Sequence, residues 1–142
     1  THTIEIVEQR LLVEPGSFVL DIQQAAPYFR KQGALGFINS FVNNALPGMK
    51  HPITGVFDVL ELLYHTHPTQ HQGLSLAVSH DTILAAIVAV ISGNKQIEQS
   101  DWPDMMEGLF VWFEGEDFSN SKLKWIWRGQ KHELVIKDFQ NK

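Results

Sequence analysis

The chain has 142 residues, a formal net charge of −5 and no cysteine, so disulfides, thiolate metal sites and cysteine nucleophiles are excluded and cysteine usage leaves the compartment open. A hydrophobic share of 44% and a charged share of 19% fit one globular domain, read here as residues 1–142. The acidic balance without a Lys/Arg block speaks against nucleic acid, and the longest apolar run, residues 83–91, is too short to cross a bilayer.

In chain order, Ile4, Ile6 and Leu11-Leu12-Val13 suggest a strand that ends at the turn signal Pro15-Gly16. No secretory signal and no initiator Met opens the chain, and the expectation is a mature or excised piece. Phe18, Ile22 and Ala25/Ala26 have helical spacing, with Pro27 expected to break or restart the helix. Leu35, Ile38, Phe41/Val42 and Ala45/Leu46 continue at three- and four-residue steps until Pro47-Gly48. Val56, Val59/Leu60 and Leu63 define a further amphipathic helix ending near His65.

Residues 66–73 are polar. Leu74-Ser75-Leu76-Ala77-Val78 then reads as a buried strand, followed by Ser79-His80-Asp81-Thr82. An apolar helix starts there, capped by Asp81 or Ser79, and runs to about Ser92 with Gly93 as its stop. The last third reads as strands: 109–114, 123–127 and 133–136, with a turn at Gly129-Gln130. No repeat, linker or domain boundary is evident.

The chemistry-bearing feature is His80-Asp81 between an apolar strand and an apolar helix. Ligand crevices of α/β sheets form at the carboxyl ends of strands, and a helix amino terminus favours anions. The pair is suited to binding a phosphate and protonating its leaving group. The plainer alternative is an Asp cap beside a buried His.

Val78-Ser79-His80-Asp81-Thr82-Ile83-Leu84-Ala85-Ala86 resembles the His-Asp motif of the histidine phosphatase superfamily, in its acid phosphatase branch. Trp102-Pro103 and Glu107-Gly108-Leu109-Phe110-Val111-Trp112-Phe113-Glu114 are similar to the proline-led segment and Phe-Glu strand of that branch. Leu123-Lys124-Trp125-Ile126-Trp127 and Arg128-Gly129-Gln130-Lys131-His132-Glu133-Leu134 resemble its closing hairpin. The resemblance covers residues 74–136 well and the earlier ones loosely. Residues 4–15 are weakly similar to the strand after the second core helix, and residues 18–64 to the helical part covering the site.

The resemblance implies a partial α/β fold of the phosphoglycerate-mutase-like, three-layer kind, with a mixed sheet and a C-terminal antiparallel hairpin. It implies phosphomonoester hydrolysis through a phosphohistidine, without metal or other cofactor. His80 would bind the phosphoryl oxygens and Asp81 would be the general acid. Thr82 and Glu107 are candidate substrate-binding residues, Glu107 because it borders the expected substrate mouth. A positioned acid contributes ~10²–10⁴ in rate when an alkoxide departs.

One part of the pattern is missing. The family's nucleophile lies in an Arg-His-Gly motif, whereas Arg10, Arg30 and Arg128 are the only arginines here and none precedes a histidine. Arg128 matches no phosphate-clamp position and is expected at the solvated surface. The chain is therefore expected to be an incomplete enzyme with an unpaired sheet edge near residues 74–78. It would be completed by an N-terminal segment or second chain, or it would pair with a copy of itself. The ligand would be phosphate or a phosphorylated small molecule. The competing class is a phosphatase-like module that binds without turnover.

Other features have two readings each. His65, His67 and His71 suit either a metal site or a polar loop. Trp102, Trp112, Trp125 and Trp127 suit ligand stacking or core filling. Asp101, Asp104 and Glu107 suit a cation or a solvated helix start. His51 and His132 are expected at the surface.

Overall fold

The computed structural model describes residues 5–13, 18–66 and 73–142. It is a mixed α/β arrangement. Helices α1 (Ile22–Val42), α2 (Pro52–Thr66) and α3 (Asp81–Ser92) are followed by strands β1 (Phe110–Glu114), β2 (Lys122–Trp127) and β3 (Gln130–Val135), and by the short helix α4 (Ile136–Gln140). Among the described residues no helix is long and apolar enough to cross a membrane.

Asp21 starts α1 by accepting the Gln23 N–H. The expected break at Pro27 is not where the helix yields. Pro27 lies inside α1, and the kink is at Gly33, with φ 72 and ψ 177. Proline forfeits one backbone donor but keeps helical φ, whereas that φ/ψ pair suits glycine almost alone. Pro52 opens α2 at the position where a missing N–H costs nothing, and His51 Nδ1 accepts the Ile53 N–H there.

Helix α3 is apolar nearly all round because it is enclosed nearly all round: Ile83, Ala85, Ala86, Ile87, Ala89 and Ile91 are all buried. Both α1 and α2 pack on it. Gly93 ends it in the left-handed conformation, as expected. Phe41, Val56, Val59 and Leu60 fill the space between the helices. Burying a Leu- or Phe-sized side chain contributes about 1.5–3 kcal/mol relative to exposure.

Among the described residues the sheet is antiparallel throughout, in the order β1-β2-β3, so the expected mixed sheet is corrected. The final turn falls at Arg128-Gly129, and Ile136 belongs to α4 rather than to the last strand. Leu123 and Trp125 face inward on β2 with Trp127 on the same side. Phe113 and Phe118 meet Tyr64 of α2, and Phe118 also meets Phe57, which fastens the sheet to the helices. Buried Ile136 and Phe139 join α4 to the same core.

Two strand expectations fail. Residues 74–78 belong to no ladder, and Leu74, Leu76 and Val78 are 84%, 86% and 82% exposed. A strand is buried by neighbours on its edges and faces, and β1, β2 and β3 pair with one another instead. Side-chain bonds tether the segment: Ser75 Oγ donates to the Thr66 carbonyl and Ser79 Oγ to that of Leu12. Residues 5–13 form no strand either. Arg10–Leu12 is a single 3-10 turn, and Ile6 and Val7 are exposed. The Pro15-Gly16 turn and Ile4 lie outside the described residues.

Candidate functional site

His80 is the residue before α3, with extended backbone at φ −114 and ψ 157, and its carbonyl accepts the first helical bond, from Leu84. It therefore takes the capping position itself, ahead of Asp81 and in place of Ser79. Its imidazole is exposed and makes no capping hydrogen bond. Asp81 is the first residue of α3, where negative charge suits the helix dipole.

The Asp81 carboxylate receives two N–H donors. Oδ1 accepts the Thr82 backbone N–H at 2.8 Å, and Oδ2 accepts the Trp102 indole Nε1–H at 3.0 Å. A carboxylate has about four lone-pair positions, so about half remain for a proton or a ligand. Asp81 is exposed, as its neighbour His80 is. The couple is not sealed in side chains.

Thr82 is buried and, with Ile83, lines a cavity of about 290 Å³ beside the first turn of α3. Phe18, Ile22, Phe29 and Met49 also line it, and among the described residues Arg30 is the one charged residue that does.

Glu107 does not present a free carboxylate to this region. Arg128 grips the carboxylate by both of its oxygens: Nε donates to Oε2 at 2.8 Å and Nη2 to Oε1 at 3.0 Å. Oε1 also accepts the Asp104 N–H. The Arg128 fork, followed by the Asp104 amide, holds the Glu107 carboxyl below its ordinary range.

Arg128 is exposed, as expected for a surface residue, but its guanidinium is held by several partners. Beyond Glu107, its guanidinium donates to the carbonyls of Ser100, at 2.6 Å, and Trp102, at 3.0 Å. It also lies over the Trp127 ring, 5.1 Å from the centroid. The hydrogen bonds of Arg128 and of the Trp102 indole join groups 21 to 28 positions apart in sequence, which local patterns do not signal.

Of the acidic cluster, Asp101 closes a capping box with Glu98 and is explained by that role. His67 and His71 lie outside the described residues, and His65 meets the Tyr64 ring edge-on. Among the described residues no group of three metal-ligating side chains converges. His132 stacks on Trp125, and Lys131 lies over Trp112.

No protein-family model, curated protein or solved structure matches the chain.

Proposed function

We propose that this chain is a phosphomonoester hydrolase-type domain of the histidine acid phosphatase kind, contributing the acid half of a phosphoryl-transfer site. The observation that supports the reading is the solvent-facing His80-Asp81 couple at the start of α3, its carboxylate oriented by two N–H donors. In this reading His80 donates to a phosphoryl oxygen, and Asp81 gives its proton to the ester oxygen as the P–O bond breaks. Thr82 is assigned to the substrate side through its place next to Asp81 in the first turn of α3, since the apolar cavity it lines is bordered by neither His80 nor Asp81. Glu107 contributes through its grip on Arg128. No cofactor takes part.

The bond to phosphorus is made by an imidazole outside the 142 residues, within an Arg-His-Gly run that this sequence does not contain. Its arginines would neutralise the phosphoryl oxygens, and a later water would release phosphate from the nucleophile. The exposed apolar residues 74–78 support this division of labour. They have the composition of an inner strand and lack the pairing of one.

A second reading, a phosphatase-like module that binds phosphate without turnover, is favoured by one observation. Asp81 already accepts the Thr82 N–H as an ordinary helix-start carboxylate does.

Titration of the ¹⁵N-labelled chain with inorganic phosphate tests the shared premise of both readings. Shifts centred on residues 79–84 and lost in His80→Ala support an anion site. Shifts absent there, or unchanged in His80→Ala, would remove it.

A further inference from the structure

We infer that Trp102 and Arg128 are positioning residues for Asp81. The functional meaning rests on the reading of Asp81 as a proton donor, whereas the geometry rests on hydrogen bonds alone. An indole is a donor with no acceptor and only two side-chain torsions, so its bond to Oδ2 sets the carboxylate direction at small entropic cost. The Thr82 N–H fixes the other oxygen. An acid must lie within hydrogen-bond reach of the departing oxygen, and small displacements there are costly in rate.

Trp102 stands on an irregular segment after the 3-10 turn Gln99–Asp101, where no strand or long helix holds it. Arg128 performs that task from the β2–β3 turn. Its guanidinium binds the backbone at Ser100 and at Trp102 itself, while its fork onto Glu107 secures the far end of the segment. Arg128 has φ 51, a left-handed conformation that non-glycine residues seldom adopt. Four hydrogen bonds from one guanidinium offset that strain. The sequence of contacts thus runs from the hairpin turn to the 100–107 segment, to the Trp102 indole and to Asp81. Lysine cannot replace the planar fork.

The indole N–H resonance of Trp102 in the ¹⁵N-labelled chain, identified by its loss in Trp102→Phe, reads this arrangement directly. Asp81→Ala should shift that resonance and speed its exchange with solvent about tenfold. Arg128→Ala, which removes no group touching Asp81, should move it the same way and leave the Trp125 indole unmoved. Lys131→Ala on the same hairpin should leave Trp102 unmoved. If Arg128→Ala collapses the whole spectrum, Arg128→Lys is read in its place and should give the same displacement. A Trp102 resonance that stays fixed in Asp81→Ala, or in the folded Arg128 variant, overturns the inference.

A turnover arm separates this inference from the phosphatase reading. In the full-length gene product with an aryl phosphate, Trp102→Phe should lower kcat about tenfold with KM little changed. A wild-type product that releases no phosphate refutes the phosphatase reading and leaves the resonance result standing. Wild-type turnover that Trp102→Phe does not alter refutes the positioning role.

Discussion

Asn39 holds the backbone of Ile97 from both sides: its Nδ2 donates to the Ile97 carbonyl at 2.9 Å and its Oδ1 accepts the Ile97 N–H at 2.7 Å. The amide thus ties α1 to the segment leaving α3, and neighbouring Asn43 repeats the tie to the Lys95 carbonyl. Asn39→Ala leaves both Ile97 groups without this partner and should cost about 1–3 kcal/mol in a urea melt. Asn39→Ala matching the wild-type midpoint would show that water replaces the amide at no cost.

Burial differs sharply between two apolar leucines. Leu60 is fully buried, and Leu60→Ala should destabilise by about 2–5 kcal/mol. Leu76 is exposed, and Leu76→Ala should stay within about 0.5 kcal/mol of wild type. A large loss at Leu76, measured at a concentration where the chain is monomeric, would mean that residues 74–78 pack against the rest of the chain.

The same segment should be adhesive. Leu74, Leu76 and Val78 together expose an apolar run of the kind that pairs with other chains. Sedimentation should show concentration-dependent association that the triple replacement by Ser abolishes. A wild-type chain that stays monomeric at high concentration would contradict the account of residues 74–78 as an uncovered apolar segment.

Gly48 is held by close approach. At φ 75 its carbonyl accepts the N–H groups of Leu20 and Asp21, and a Cβ would sit 2.5 Å from the Asp21 carbonyl oxygen. Gly48→Ala should cost more than about 1 kcal/mol, because both the left-handed φ and the clash with backbone oppose it. A neutral substitution would mean that the turn readjusts freely.

Glu107 gives stability an acid-side dependence. The Arg128 fork lowers its carboxyl from the ordinary value of 4.5, so the folded state binds the proton less readily than the unfolded chain does. The contribution is therefore complete above that ordinary value and fades as pH falls through the lowered one. It is small because the pair is solvent-accessible. Glu107→Gln should lower stability at neutral pH and narrow towards wild type in acid. A difference that grows on acidification would have the wrong sign.

Elements with strong local signals were legible in sequence. Nine apolar residues and the stop at Gly93 specify α3, and the apolar spacing of Val56, Val59/Leu60 and Leu63 specifies α2. The alternation around Trp125 and the Gly129 turn specify the hairpin. Residues 74–78 misled because apolar composition expresses a capacity for burial, and partners decide whether it is met. Pro27 misled because a helix tolerates the lost donor better than a residue at the φ of Gly33. His80 and Asp81 were visible as a pair with a helix behind them. The Trp102 and Arg128 contacts were not, since they depend on a turn, a loop and a helix start meeting in space.

The most direct test of the central claim is phosphate release from an aryl phosphate by the full-length gene product and its His80→Ala and Asp81→Asn variants. The account expects turnover in the wild type and a loss of about 10²-fold or more in Asp81→Asn, for want of the acid. Turnover that survives both substitutions, or its absence from the wild type, would contradict the assignment of these two residues to phosphoryl transfer.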